Sequence, residues 1–197
     1  MNLLALSTGA LVGIIVGCVL VGLLIIFGIW YAATYNSLIR LKNMCEDAFS
    51  TIDIYLKKRY DLIPNLVETV KGYAAHEKET FLKVTEARTK VASAVTPEEK
   101  AIADGAMTQA MRNFNMVMEQ YPELKANANF LDLQAQLKSI ENELSQARKY
   151  YNACARELNV KRSSFPAFIV ANRMKLEKQP FFTVDSPEER QNVKVQF

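Results

Sequence analysis

Residues Leu11–Tyr31 read LVGIIVGCVLVGLLIIFGIWY, a run without a charge or a proline. At about 1.5 Å of rise per residue these positions make a helix of roughly 32 Å, enough to cross a hydrocarbon core of about 30 Å. Trp30, Tyr31 and Tyr35 stand at its C-terminal edge, where amphipathic rings favour the headgroup level. The run predicts one membrane-spanning helix over residues 10–34, preceded by a short exposed stub over residues 1–9. A cleaved secretory signal wants a basic start and a shorter apolar run, and neither is found. Ile15-Val16-Gly17-Cys18 loosely resembles a lipoprotein cleavage box, but the apolar run continues well past Cys18, so the span is read as retained.

The rest of the chain has a different composition. All 24 basic and 21 acidic residues of the 197 lie from Arg40 onward. Such segregation argues against a plain cytosolic protein, a disordered chain or a small disulfide scaffold. The three cysteines, Cys18 among them in the apolar run, make no disulfide framework. Arg40 and Lys42 follow the span and no charged side chain precedes it. By the positive-inside rule the body is expected in the cytoplasm and the N-terminus outside, across a bacterial inner membrane. Gly9, Gly13 and Gly17 recur every four residues, which puts three small residues on one helix face. That register allows close helix approach in lipid, so self-association through the span is expected.

From Leu38 the pattern turns helical. Leu38, Leu41, Cys45, Ala48, Ile52, Tyr55, Arg59, Leu62 and Leu66 step alternately by three and four, a heptad seam of the kind that packs long helices at shallow angles. Pro64 either kinks or divides this helix, whose periodicity runs on through Val67, Val70, Phe81, Val84 and Ala87 to Val91–Val95. Arg59 interrupts the seam. Its preferred reading is a snorkelling stem with the guanidinium at the edge, against the alternative of a buried ion pair that fixes register. Thr96-Pro97-Glu98-Glu99 is a capping box opening a second helix through Met107, Ala110, Phe114, Val117 and Tyr121. A third seam follows from Phe130 through Leu133, Leu137, Ile140, Leu144, Ala147, Tyr151 and Cys154 to Leu158, with Lys138, Glu141, Glu143, Arg148 and Arg156 off the stripe. Phe165-Pro166 marks a turn before a short helix over Ala167–Lys178, and residues 179–197 form a tail that frays or lies along the bundle. The fold class is all-α: one membrane helix, then an elongated bundle over residues 35–178 of three long heptad-patterned helices plus a short C-terminal one.

Catalytic groups do not converge. His76, the one histidine, stands beside Glu77, Lys78 and Glu79 and reads as a solvated position rather than a metal ligand. Cys45 and Cys154 lie on the seams and read as small apolar core residues. Glu68, Glu77, Glu79 and Glu86 lack the Glu-x-x-His repeats of di-iron bundles and read as a wet face. No Gly-rich phosphate loop is present. Lys57-Lys58-Arg59 reads as a local salt-bridge face with Asp53 and Asp61. A net charge of +3 without aromatic-basic interleaving argues against nucleic-acid binding. The reading is therefore no catalytic residues, no cofactor and no metal.

Several segments resemble one family. Tyr35-Asn36-x-Leu38-x-x-Leu41, Ile52-Asp53, Arg59-Tyr60-Asp61-Leu62-Ile63-Pro64-Asn65-Leu66-Val67 and Lys71-Gly72-Tyr73-x-x-His76-Glu77 are similar to the LemA family of bacterial membrane proteins. So are Asn129-Phe130-x-x-Leu133-Gln134, Glu141-Asn142-Glu143, Ala147-Arg148-x-Tyr150-Tyr151-Asn152 and Phe165-Pro166. Phe49 stands where the family often has tryptophan, Tyr55 replaces a usual polar residue, and the tail after Phe182 departs from the pattern. The resemblance implies one N-terminal membrane helix, a small exposed stub and a cytoplasmic bundle of antiparallel helices, and it supplies no catalytic residues. Asp61 and Asn65 flank Pro64, whose missing N–H frees a backbone carbonyl, and are a candidate docking notch; the plainer reading is that they cap a helix after a break. The expected function is a membrane-anchored, non-enzymatic interaction or scaffold protein that self-associates. Its expected partners are the lipid bilayer, further copies of itself and a second membrane protein. The alternative is a regulatory subunit of a membrane enzyme such as a protease.

Overall fold

The structure, a computed structural model, describes residues 8–182. Expectations on residues 1–7 of the stub and 183–197 of the tail lie outside the described residues. Among the described residues the elements are α1 (Thr8–Lys71), α2 (Lys78–Ser93), α3 (Pro97–Met118), α4 (Pro122–Lys125), α5 (Ala128–Ser163) and α6 (Ala167–Arg173), with no strand. The all-α expectation holds.

Of the two readings of Pro64, a kink or a division, the second falls, because α1 continues through it to Lys71. The break comes at Gly72–Glu77 instead, so the periodic stretch to Val95 is two helices and not one. A ten-residue run, KGYAAHEKET, separates Val70 from Phe81. The apolar faces on either side of it need each other as partners. Folding back puts Ile63, Leu66, Val67 and Val70 in one core cluster with Phe81, Val84 and Ala87, whereas a straight helix leaves both faces wet. Glycine at position 72, disfavoured in helix interiors by about 1 kcal/mol, marks the place.

Among the described residues the chain forms two compact units, 8–43 with 158–178, and 44–157 with 179–182. In the first, the apolar side chains from Leu11 to Ile29 point outward, none of the large ones less than 45% exposed, and an 18-residue stretch of the helix reaches a mean hydropathy of 3.1. Further along α1, Thr34, Leu38 and Leu41 are buried, as are Leu158 of α5, Ala167, Val170 and Ala171 of α6, and Leu176. Lys161 donates a hydrogen bond to the Ser37 hydroxyl, which fixes the last turn of α5 beside this part of α1. The short helix stops at Arg173 rather than running to Lys178. Lys175 adopts the left-handed conformation with φ 51°. The Lys175 N–H donates to Asn172 O and the Leu176 N–H to Ala171 O, a Schellman ending that satisfies the last carbonyls.

The second unit is an antiparallel bundle of α1, α2, α3 and α5. Arg88 of α2 lies over Tyr60 of α1, Phe114 of α3 against Phe81 of α2, and Tyr151 of α5 against Phe49 of α1. The start of α3 carries the expected capping box: the Glu99 N–H donates to the Thr96 hydroxyl at 3.2 Å and the Thr96 N–H to the Glu99 carboxylate at 3.1 Å. The Val95 N–H, which donates to the same carboxylate at 2.9 Å, and the Thr96 N–H hold the Glu99 carboxyl below its usual range. The α1 seam is not a strict heptad. Leu56 and Ile63 are buried where Tyr55 and Leu62 were expected, and Tyr55 and Leu62 are only half-buried. The steps Ala48, Ile52, Leu56 insert an extra four, a stutter that brings the average period back toward the 3.6 of a straight helix. Residues 180–182 lie along α5: Tyr151 donates to Pro180 O, and Asn152 exchanges two hydrogen bonds with the Phe182 backbone.

Candidate functional site

Arg59 lies on the buried stripe of α1 and is 2% exposed. The snorkelling reading is therefore overturned: the guanidinium is inside the bundle. Its Nη1 donates to Asp104 Oδ1 at 3.0 Å and to the Thr108 hydroxyl at 3.2 Å. Its Nη2 donates to Glu141 Oε1 at 3.1 Å. The second oxygen of Asp104 is taken by Arg148 of α5 in a further ion pair. Three helices thus meet on one carboxylate that is fully buried. Burial lowers the pKa of both arginines, and for Arg148 the neighbouring positive charge of Arg59 adds to it, pushing it down to about 10. At neutral pH both still carry their charge. Buried charges need partners, and the ladder of contacts holds α1, α3 and α5 in one register, a role attested for buried ionic groups elsewhere.

Sequence reasoning missed Asp104 and placed Arg148 off the stripe. The signal was there for Asp104: it stands three residues before Met107 on the face that continues through Met111, Phe114 and Met118, and so extends that apolar stripe with a carboxylate. Glu141, with its side chain half exposed, was correctly off the stripe but reaches back to Arg59. The basic triplet does not act as a unit. Arg59 goes inward, Lys58 lies over the Tyr55 ring at 5.0 Å, and Asp53 pairs with Lys100 of α3 rather than within its own helix. Lys57, Asp53, Tyr60 and Lys100 edge a small groove of about 280 Å³ with Leu56 and Val91.

The candidate notch at Pro64 has an occupant. Pro64 lacks the N–H that would bond Tyr60 O four residues back. Arg88 of α2 fills the place: its Nε donates to Tyr60 O at 3.4 Å, and its guanidinium stacks on the Tyr60 ring at 4.0 Å. Asp61 and Asn65 are exposed on the other side of the helix turn, and Asn65 O accepts from the Thr69 hydroxyl at 2.8 Å. They do not cap a new helix, because none starts there. Arg88→Met is expected to destabilise the bundle by about 1–2 kcal/mol, the value of a charge-assisted bond and a cation–π contact. In a Pro64→Ala background, where Tyr60 O regains its helical N–H, the same change is expected to cost measurably less. Urea melts of the four variants give the coupling energy; equal costs in both backgrounds exclude the link.

The remaining candidates stand apart. Gly9, Gly13 and Gly17 face open space, with nothing within 4 Å of a Cβ added at each. His76 is exposed in the α1–α2 turn, and among the described residues no three His, Cys, Asp or Glu side chains gather as a metal site. Cys45 and Cys154 are buried. Burial, with Cys154 nearby, pushes the Cys45 thiol up to about 11, which makes it an inert core group at neutral pH.

Residues 48–197 match the pattern of the LemA family, so the match includes the tail after Phe182 that was read from sequence as departing from it. The chain is 27% identical to Protein LemA of Metamycoplasma hominis over 83% of its own length and 75% of that protein's. It is 23% identical to Magnetosome proteins MamQ 2 and MamQ 1 of Paramagnetospirillum magneticum, over 67% of this chain. Of each of those two it spans 58% of the length.

Proposed function

Since the chain belongs to the LemA family, we propose that it is a membrane-anchored helical interaction protein that performs no chemistry of its own and assembles with further copies of itself. One observation carries this reading. The apolar side chains of α1 from Leu11 to Ile29 are exposed all round, while the buried charges of the bundle are spent on one another at Asp104. Family membership and the all-helical fold point the same way, toward a non-enzymatic protein. Arg40 and Lys42 beyond the span support a cytoplasmic body under the positive-inside rule, in a bacterial inner membrane.

Self-association rests on the open face at Gly9, Gly13 and Gly17, where a second helix gains van der Waals contact that bulkier residues deny. Gly13→Ile is expected to weaken dimerisation of the membrane segment in a two-hybrid reporter assay. An unchanged signal rejects that face. Purification in mild detergent with cross-linking tests the wider reading. A homo-oligomer alone supports it, a stoichiometric enzyme partner replaces it with a regulatory subunit, and a lone monomer overturns it.

A further inference from the structure

The first unit carries a face that its own fold leaves uncovered. In α6, Ala167, Val170 and Ala171 turn inward, and Phe168 and Ile169 turn outward at 39% and 50% exposed. Phe165, in the turn before α6, is 82% exposed, with its ring 6.3 Å from that of Phe168. An exposed aromatic pair beside an isoleucine leaves apolar surface in water that burial would remove, so a cover is expected. Its position names the cover. Lys161 is bonded to Ser37, and α5 runs toward the apolar end of α1. Phe165 lies four residues further, about 6 Å along a helix. That brings the turn near the level of Thr34 and Tyr35, beside the aromatic edge of the span.

The charge around this face has one sign. Arg40, Lys161, Arg162, Arg173, Lys175 and Lys178 gather in the first unit, where Glu177 is the one acid among the described residues. The whole chain is only +3, so this excess is local. Aromatic and aliphatic tips rimmed by Lys and Arg are the composition of interfacial membrane contacts, whose apolar side sits about 5–10 Å into the headgroup and acyl boundary. Anionic headgroups attract basic residues held near the membrane surface.

We propose that the α5–α6 turn and the outer face of α6 dip into the anionic interface of the membrane that α1 spans, giving the protein a second membrane contact through Phe165, Phe168 and Ile169. This rests on the reading of α1 as a membrane span. The second contact is brought there only by the fold, since these residues lie far from the span in sequence. It restricts rotation of the span about its own axis and so fixes which side of the Gly9–Gly17 face is presented to a neighbour.

Tryptophan fluorescence of the full chain in proteoliposomes tests it, because Trp30 is the one tryptophan. In a Trp30→Phe background, Phe165→Trp alters a side chain that packs little and is expected to fold. Its emission is expected to be blue-shifted and quenched by brominated acyl chains, more strongly with phosphatidylglycerol present than in phosphatidylcholine alone. Arg173→Gln with Lys175→Gln is expected to remove that lipid preference. A water-like, unquenched signal at position 165, with Trp30 of the unmodified protein quenched, overturns the second contact and leaves the span intact. A blue-shifted but unquenched signal assigns the face to a protein and also overturns it. If Trp30 itself is unquenched, the span reading falls, and this one with it.

Discussion

Asp104→Ala is expected to cost about 3–5 kcal/mol, enough to unfold much of a domain of ordinary stability, because it strips the carboxylate from the buried Arg59 and the half-buried Arg148. Asp104 is 0% exposed and holds Arg59 on one oxygen and Arg148 on the other. Without it Arg59 keeps Glu141 and Thr108, but two positive charges face each other across the gap. The apolar replacement Arg59→Met with Asp104→Leu is expected to recover much of the loss, since it removes the buried charge together with its partner. Arg148, with its side chain 18% exposed, has a route to solvent along its apolar stem. Urea denaturation of the full protein in detergent, followed by circular dichroism, measures both. A cost below about 1 kcal/mol for Asp104→Ala is the range of an exposed pair and refutes the buried clamp.

Phe114→Ala is expected to cost about 3–5 kcal/mol through lost apolar burial and the cavity left behind. Phe114 is 0% exposed, its ring lies 6.3 Å from that of Phe81, and it shares a core cluster with Ile63, Leu66, Val84 and Met107. The cluster that holds this ring draws side chains from α1, α2, α3 and α5, so little local collapse can close the gap. Met116, two residues away and 60% exposed, is the control, and its change to alanine is expected to stay within about 0.5 kcal/mol. The denaturation midpoint should fall for Phe114→Ala with an unchanged denaturant dependence. Equal effects at positions 114 and 116 contradict the packing described.

Several motif residues that supported the family resemblance find their physical reason in these contacts. Arg59 joins three helices, and Tyr60 offers its carbonyl and ring to Arg88 because Pro64 has no N–H to give. Tyr73 accepts a hydrogen bond from Asn127, and Tyr121 donates one to Glu77, which ties the α1–α2 turn to the connection before α5. Arg148 lies over the Phe182 ring and Asn152 pairs with the Phe182 backbone. The interaction residues chosen from sequence fared differently. Gly9, Gly13 and Gly17 remain an open face. The carbonyl freed at Pro64, expected to receive a partner, is satisfied within the chain.

What the sequence by itself determined about this protein is what depends on neighbours along the chain. The apolar run of α1, the capping box at Thr96 and the apolar stripe of α5 are properties of a few consecutive turns, and they read correctly. On α3 Met107, Ala110 and Phe114 are buried as expected, but Met111 and Met118 are buried where Val117 and Tyr121 were expected. Three features were decided only by tertiary structure. The turn at Gly72–Glu77 forms because two apolar faces bury each other. The fate of Arg59 depends on Asp104, 45 positions away. The grouping of α6 with the first part of α1 depends on Lys161 meeting Ser37 across 124 positions. Burial of a charge and the direction of a turn are settled by what lies opposite, and no local period carries that information. With α1 read as a membrane span, the uncharged run Leu11–Tyr31 needs no such partner, because lipid serves as its solvent.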